Sequence, residues 1–359
     1  MKCILYIPVA ALLVGTVHAQ GTGSSDESQF KTRYSVSVID DATFYGNLRE
    51  PLPGVLNQVL VEPSFGLHYR DRLTFSTSLI GLTGTYMDNY SHVRVKEAYA
   101  SDSAGDFDFT AGRKMVRWGT GYAFTAAGVL DPPRNPTDPA DRLNLNEGRD
   151  MVKADWVRGR HALTLAWSTA ALAPANTDLH DTTAFRYNVL VHGFDTSLIT
   201  GHDRDTDSFG GLTFTRVLGQ AWEIHGEGMW RDQAAVLLGG KFTMHSGVSF
   251  IGEFYTPPNT AYYRDMSIFA LAGRQHFAFF NASKTRLREL PGWKEWDLSG
   301  SIVANLNDHS YAGVFDVNHW FGNHFSTYVH VEIPHGAKTS DYGSTPYSSA
   351  TSAGVRFQL

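Results

Sequence analysis

The sequence predicts an all-β fold, a closed antiparallel β-barrel that crosses a membrane with its strands. Apolar and polar residues alternate with a period of two along most segments, as they do in two-faced strands. Charged residues make up only 18% of the chain, whereas aromatic residues reach 13% and there are 34 glycines. The last segment, Thr351 to Leu359, also alternates, and its bare edge needs a partner strand that closes the sheet.

Residues 1–19 have the pattern of a secretory signal peptide. Lys2 supplies a positive charge, the apolar core from Ile4 to Val14 is too short to span a membrane comfortably, and small residues precede Gln20. A short N-terminal anchor helix is the alternative interpretation. We expect a mature chain that begins at Gln20, a flexible polar segment over residues 20–31 and the barrel over residues 32–359.

Cysteine and charge exclude several classes of function. The only cysteine, Cys3, lies within the predicted signal peptide, so the mature protein would have no disulfide, no thiol nucleophile and no cysteine-ligated zinc. The formal net charge of -6 argues against a nucleic-acid partner, which needs a basic surface. No later segment supplies the roughly 18 consecutive apolar residues of a spanning helix.

Residues 61–79 illustrate the two-faced strands. Val61 and Phe65 share one face of the first run, and after the polar turn 70–72 Leu73 and Phe75 share one face of the second. In a soluble sandwich such apolar faces would form a core, whereas in a membrane barrel they would contact lipid. We count roughly 16 strands, within a range of about 14–18, and a barrel of this size is wide enough to hold water unless something plugs it.

The C-terminal strand resembles the closing strand of bacterial outer-membrane β-barrels. Those strands commonly end on phenylalanine after alternating apolar residues, and here Phe357 stands two residues before the terminal Leu359. The resemblance implies a Gram-negative outer membrane, with its lipid as a partner. A second resemblance is to the porin-like DUF1302-type family, and it is carried by Glu97-Ala98-Tyr99, Gly112-Arg113-Lys114, Trp118-Gly119 and Asn135-Pro136-Thr137.

A long loop follows an early hairpin that is formed by the runs Val93–Ala100 and Asp106–Trp118. This loop, Gly119 to Arg149, contains four prolines within residues 132–139 and leads into an extended run from Asp150 to Val157. A loop of about 30 residues is more often functional than not. If it folds into the lumen, its charges would select solutes by size and charge. An extracellular loop with solvated charges is the alternative.

The charged candidates lie on both sides of the start of this loop. By alternation Lys114 shares the polar face, whereas Arg113 and Arg117 fall on the apolar face, which requires a bulge near Gly112 or a strand end clear of lipid. The candidate constriction residues of this region are Lys114, Arg117, Asp131, Arg134, Asp138, Asp141, Arg142 and Arg149.

A second candidate group, Glu223, His225 and Glu227, shares one face of a later strand. Two carboxylates and an imidazole could bind a cation or relay protons, but the alternative is plain polar lining of the lumen. The sequence has no His-Glu-x-x-His motif, phosphate loop or dinucleotide fingerprint, so we predict no cofactor and no catalytic residue.

Together these patterns predict a porin-like channel for passive diffusion of small hydrophilic solutes. Two alternatives stay open at this stage. One is an outer-membrane barrel enzyme that hydrolyses lipid or peptide, since a catalytic triad is spatial rather than sequential. The other is a secreted β-sandwich that binds glycans. The sequence also leaves the oligomeric state open, and a homo-oligomer is compatible with it.

Overall fold

The computed structural model describes residues 30–48, 54–70, 72–84, 91–171, 181–204, 207–231, 233–257, 275–287 and 292–359. The predicted signal peptide, 1–19, and most of the predicted flexible segment, 20–31, lie outside the described residues. The first strand begins at Phe30, two residues before the predicted start of the barrel. In the ranges above, no helix is long and apolar enough to cross a membrane.

The described residues form one closed antiparallel sheet of eighteen strands. In chain order the strands are β1 (Phe30–Gly46), β2 (Val55–Tyr69), β3 (Leu73–Gly84), β4 (Ser91–Ala104), β5 (Phe107–Lys114), β6 (Arg149–Arg158), β7 (His161–Thr169), β8 (Thr182–Val191), β9 (Phe194–Asp203), β10 (Asp207–Leu218), β11 (Trp222–Trp230), β12 (Ala234–Thr243), β13 (Ser249–Thr256), β14 (Phe277–Lys284), β15 (Trp296–Asn305), β16 (Ser310–Phe321), β17 (Phe325–His335) and β18 (Ser349–Gln358).

Closure of the sheet is confirmed. Each strand pairs with its neighbours along the chain, and β1 also pairs with β18 from Ser37 opposite Gln358 to Gly46 opposite Ser349. The strand count is eighteen rather than roughly 16, at the upper end of the predicted range. Alternation is weak along β12, where Ala235 and Leu237 are apolar although they face inward, and such strands are hard to count from sequence.

The two faces of the wall differ in the expected sense. On β7, Leu165 and Trp167 point outward and are 55% and 49% exposed, whereas Ala166 and Ser168 point inward and are buried. An exposed apolar surface of this extent contradicts the sandwich alternative, in which these faces would form a core, and it matches the exterior of membrane barrels. The same outward apolar face recurs at Phe65, Phe75, Phe107, Leu198, Leu212, Leu238, Phe280, Ile302, Phe315 and Val329.

The boundaries of the early hairpin differ from the prediction. Strand β5 ends at Lys114 rather than Trp118, because the Met115 N–H leaves the strand ladder and donates to the Glu97 carboxylate at 2.8 Å. Arg117 therefore lies in the loop rather than on the strand. At the other end of the loop, Arg149 is the first residue of β6 rather than a loop residue.

The outward position of Arg113 has a simple explanation. Strands β4 and β5 pair in continuous register through Arg113, so the bulge considered near Gly112 is absent from this pair. Arg113 instead forms a bidentate ion pair with Asp150 on β6, at 3.0 and 2.7 Å, close to the end of the strand. The pair lets a charged side chain occupy the outward face there.

Candidate functional site in the barrel lumen

Residues 115–148, called the inner loop from here on, connect β5 to β6 and run along the inside of the barrel. Ala123, Ala127 and Leu130 are almost completely buried against inward-facing wall residues. Further along, the loop contacts β1, β17 and β18 and then β2 and β4 before the Gly148 N–H donates to the Lys96 carbonyl at 2.9 Å. The inner loop thus follows the wall around a large part of the lumen.

Apolar packing holds the first half of the inner loop. The ring of Phe124 stacks on that of Tyr255, with centroids 5.0 Å apart, and lies 5.9 Å from that of Phe277. Trp118 belongs to the same buried cluster, together with Leu237. Burial of these rings contributes favourably to the position of this half.

Glu227 on β11 accepts an unusual number of hydrogen bonds from the inner loop. Its Oε1 atom accepts the N–H groups of Thr120 and Gly121, and its Oε2 atom accepts those of Ala126 and Ala127 at 2.6 and 2.7 Å. The Thr125 hydroxyl also donates to Oε2, at 2.9 Å. The side chain is 3% exposed, so these donors replace the water that a carboxylate would otherwise bind.

Glu253 on β13 holds the next residues in the same way. Its carboxylate accepts the N–H groups of Tyr122, Ala123 and Phe124. It also contacts the ring of His225, with Nε2 of the histidine 3.0 Å from Oε1 of the glutamate. Together the two glutamates bind nearly every backbone amide from Thr120 to Ala127.

Tyr122 and Glu223 complete this part of the site. The phenol of Tyr122 donates to Oε1 of Glu223 at 3.0 Å, and its ring meets that of His225 edge-on, with centroids 5.4 Å apart. Burial and the nearby Glu223 carboxylate raise the pKa of the Tyr122 phenol. The hydroxyl is therefore a donor across the whole physiological pH range.

Asp131 and Arg134 close the first half of the inner loop on itself. The Asp131 carboxylate accepts the N–H groups of Trp118 and Gly119, at 2.5 and 3.2 Å, and pairs with Arg134 at 3.3 Å. Arg134 also donates to the carbonyl of Gly119 at 3.2 Å. Burial raises the pKa of the Asp131 carboxyl, while the two amides and Arg134 oppose that rise.

Arg142 holds the second half of the inner loop against the part of the wall where β1 pairs with β18 and the barrel closes. It pairs with the fully buried Asp41 of β1 at 2.6 Å and donates to the Tyr328 hydroxyl of β17 at 3.3 Å. Asp138 accepts the Arg142 N–H at 3.1 Å and Asp141 accepts the N–H groups of residues 145 and 146, so both carboxylates stabilise the local turns. Burial raises the pKa of Asp138, and Arg142 opposes the rise.

Polar side chains continue these contacts toward β2 and β4. Asn144 donates to Glu62 at 2.7 Å, and the same carboxylate pairs with the buried Lys96 at 2.9 Å. Lys96 is the extra residue of a bulge in β4, where the register with β3 shifts between Ser78 and Leu79. The bulge lets Lys96 face the lumen beside the loop.

A second segment, residues 336–348 between β17 and β18, also packs inward. Tyr342 is buried in the same cluster as Trp118, and the Asp341 carboxylate accepts from Asn305 at 2.6 Å. The Asp341 N–H donates to Asp308 at 2.7 Å. Burial, together with the Asp308 carboxylate, raises the pKa of Asp341 to about 6.

The structure brings most of the sequence candidates into contact with the inner loop, but not all of them. Lys114 instead lies over the ring of Tyr99, 4.3 Å from its centroid, and Arg149 starts the wall strand β6. Arg117 is exposed and lines a cavity within the loop. The candidates that do meet are Asp131, Arg134, Asp138, Asp141 and Arg142 in the loop and Glu223, His225 and Glu227 on the wall.

Sequence reasoning missed four important partners: Asp41, Glu62, Glu253 and Tyr328. Glu253 had one usable signal, because it is a single carboxylate among apolar and aromatic residues in β13. Within the described part of the chain, no three His, Cys, Asp or Glu side chains are arranged to hold a metal ion. Glu223 and Glu227 accept hydrogen bonds from the inner loop, and His225 contacts Glu253 through Nε2, whereas its buried Nδ1 has no hydrogen-bond partner among the described residues.

Two of the cavities that the described residues form beside the inner loop share lining residues. One of about 560 Å³ is bounded by the loop and by inward residues of β1 and β13–β18, and it reaches Ser37 and Gln358 near the end of the barrel that carries the short turns. The other, of about 290 Å³, is lined by loop residues alone. The two share Tyr122, Asp138, Pro139, Asp141 and Arg142 as lining residues.

Comparisons with known proteins support the fold. No protein-family model and no curated protein matches the chain, so the resemblance to the DUF1302-type family is not confirmed. Among solved structures, Pseudomonas aeruginosa OccK5 (OpdH) is similar with a TM-score of 0.62 at 8% identity, over 92% of this chain and 98% of that one. A BenF-like porin from Pseudomonas fluorescens Pf-5 matches with a TM-score of 0.61 at 8% identity, over 92% and 99% of the two chains.

A third similar structure is Pseudomonas aeruginosa OpdK with vanillate, with a TM-score of 0.60 at 10% identity, over 92% of this chain and 98% of that one. OpdK is described as an outer membrane protein. At such low identity the likeness bears on architecture. The chain has the fold of the porin barrels, a closed antiparallel barrel of eighteen strands.

Proposed function

We propose that the protein is a porin-like channel of a Gram-negative outer membrane, through which small hydrophilic solutes diffuse passively. The observation that carries the proposal is the combination of an apolar exterior with a lumen that the inner loop narrows. The outward residues suit lipid, and the inward residues combine polar side chains with an apolar cluster that packs against the inner loop. The predicted signal peptide, 1–19, would deliver the chain across the inner membrane.

The inner loop is the proposed site of selection. Tyr122 is held on the β11 side of the lumen and Arg142 on the β1 and β17 side, and both border the two cavities. Asp138 and Asp141 stand beside Arg142, so charges of both signs meet at the shared boundary. A solute passing there would be selected by its size and by the transverse field of these groups.

Similar proteins support a channel rather than an enzyme. The structures that resemble this chain include a porin, and OpdK was crystallised with vanillate, a small solute. Among the wall residues that could serve as acids or bases, Glu223 and Glu227 accept hydrogen bonds from the inner loop, and His225 contacts Glu253 through Nε2. Their chemistry is used to position the loop, which is the role that a channel requires.

Single-channel conductance in a planar lipid bilayer tests the proposal. The full mature protein would be refolded in detergent, and its folding checked by the change of gel mobility on boiling. We expect steady current steps, and a reversal potential under a salt gradient would give the charge preference. Folded protein that leaves the bilayer silent would overturn the proposal.

A further inference from the structure

The larger of the two cavities, called the chamber from here on, has an uneven distribution of polar groups. Its volume of about 560 Å³ lies within the range of roughly 300–1,000 Å³ that is common for small-molecule sites. On one side stand the inner loop and β18, with Arg142 and Arg356. The other side is a wall of small hydroxyl and amide side chains on β14, β15 and β16.

These hydroxyl and amide groups have hydrogen-bonding capacity to spare. Asn281 donates to the Ser299 hydroxyl at 2.8 Å, which leaves its carbonyl oxygen for a ligand. In the part of the chain that the structure describes, the hydroxyls of Ser283 and Ser301 make no side-chain hydrogen bond, although both line the chamber. Asn318 donates to Asp297 at 3.2 Å and likewise keeps its carbonyl oxygen.

The charges that line the chamber do not favour an anion. Three carboxylates, Asp138, Asp141 and Asp316, stand against two guanidinium groups, Arg142 and Arg356. Both guanidinium groups already have protein partners. Arg142 is paired with the buried Asp41, and the side chain of Arg356 donates to the carbonyl of Arg142 at 2.5 Å.

Aromatic side chains supply part of the remaining surface. Tyr122, Phe279 and Tyr328 line the chamber on different sides. Small-molecule sites commonly combine apolar ring faces with a few convergent polar groups that fix the orientation of the ligand. Hydroxyls and amides opposite rings suit a solute that carries several hydroxyl groups on a C–H framework, since each hydroxyl can both donate and accept.

We propose that the chamber binds a neutral polyhydroxylated solute, of the sugar or sugar-alcohol class, as it passes through the channel. This inference rests on the proposed channel function and adds the substrate class. It separates the chain from OpdK, whose crystallised partner vanillate carries a carboxylate, because the chamber has three carboxylates and its two guanidinium groups already have protein partners. The residues that recognise the solute are Asn281, Ser283, Ser301 and Asn318.

Block of the open channel by added solutes tests this substrate class. Maltose and sorbitol would be titrated against bilayers that contain the full mature protein, with vanillate as the charged probe. We expect maltose or sorbitol to reduce the conductance with saturation, and vanillate to have no saturable effect. In the Ser283→Ala/Ser301→Ala variant the half-blocking concentration should rise about fivefold for each hydroxyl removed, the ordinary effect of one lost hydrogen bond.

A matched control uses two hydroxyls on the same inner face but outside the chamber, in a Ser76→Ala/Ser101→Ala variant, whose half-blocking concentration should equal that of the unaltered protein. Saturable block by vanillate with none by maltose or sorbitol would overturn the inference while leaving the channel intact. Equal half-blocking concentrations in all three proteins would also overturn it. A silent bilayer from folded protein would instead refute the channel function itself.

Discussion

The two halves of the inner loop are held in the lumen by different kinds of contact. From Trp118 to Leu130 the loop is held through its backbone, because Glu227 and Glu253 bind main-chain amides and the side chains pack in an apolar cluster. From Asp138 to Glu147 the loop is held through its side chains, chiefly Arg142 against Asp41.

The difference shows which half tolerates change. A carboxylate that accepts main-chain N–H groups does not depend on the identity of the residues that carry them, provided that the backbone follows the same path. A guanidinium that pairs with one buried carboxylate depends on both residues. We therefore expect the second half to be the more specific to this sequence, although both halves border the cavities.

Deletion of most of the inner loop has the largest expected effect, and it tests whether the loop limits the conductance at all. Deletion of Gly121 to Arg142 takes away every residue that the two cavities share. We expect single-channel conductance to rise at least about twofold, because nothing then narrows the lumen at this level. An unchanged conductance from a folded variant would show that the inner loop is not the constriction.

Glu227→Gln tests the backbone-held half. An amide side chain has only one acceptor oxygen and would place its NH₂ group against N–H donors, so one set of loop amides loses its partner. We expect the amide protons of the set that loses its acceptor, either Thr120 and Gly121 or Ala126 and Ala127, to exchange about 100-fold faster, together with flickering of the open current.

Glu223→Gln is the matched control for that variant, on the same face of β11. Glu223 accepts one hydrogen bond from the loop, from the Tyr122 hydroxyl, and a glutamine can still accept it. In this variant the exchange rates of the loop amides that Glu227 binds should stay within about threefold of those in the unaltered protein. Equal effects of the two substitutions would mean that the backbone amides do not depend on Glu227 in particular.

Arg142→Ala tests the half that is held by side chains. The substitution leaves Asp41 buried without its cation, a change that typically costs about 3 kcal/mol or more. We expect residues 138–147 to become susceptible to protease while residues 118–127 stay protected. Arg94→Ala, which removes a more exposed ion pair with Glu147, should have little effect on either. Loss of protection in both halves together would show that they are one cooperative unit.

The smallest expected effect concerns pH and the second inward segment, 336–348. Because the pKa of Asp341 is raised to about 6, above its ordinary value, the protonated form is favoured in the folded segment. Its stabilising contribution is present at low pH and is lost as the pH rises through about 6. The protection factors of the segment's amides, which are exchange rates corrected for the intrinsic effect of pH on exchange, should therefore be higher at pH 5 than at pH 7.5.

Asp341→Asn provides the check on that pH dependence, because an amide of similar shape does not titrate. The difference in amide protection factors between pH 5 and pH 7.5 should disappear in this variant. An undiminished difference would show that a group other than Asp341 causes the pH dependence.

The barrel architecture could be predicted from the sequence because it depends on a local pattern, the alternation of apolar and polar residues. Alternation gives each strand its two faces, and the terminal strand indicated closure with the first. The long loop was recognised from its prolines and its length, but its position inside the barrel was left open. Its boundaries were wrong by a few residues because Met115 and Gly148 bond to the neighbouring strand β4, a contact that no local pattern records.

The candidate site was predicted less completely for the same reason. Charges within the loop were visible, and so was the row Glu223, His225 and Glu227. Asp41, which follows Asp40 in β1, carried no distinguishing signal, and Glu253 carried only that of a single acid in β13. Both acquire their roles only when the loop meets the wall. Contacts between distant parts of a chain cannot be derived from the period of either part.

The separation in sequence between the inner loop and its partners on the wall determines when their contacts can form during folding. The amides of the inner loop lie 100 to 131 residues before the glutamates that accept them, and Arg142 lies 210 residues before Ser352. Contacts between such distant residues form late in folding, after the segments that carry both partners are in place. We therefore expect the wall to assemble first and the inner loop to dock against it last, with the contacts of Arg142 with β18 among the final ones to form.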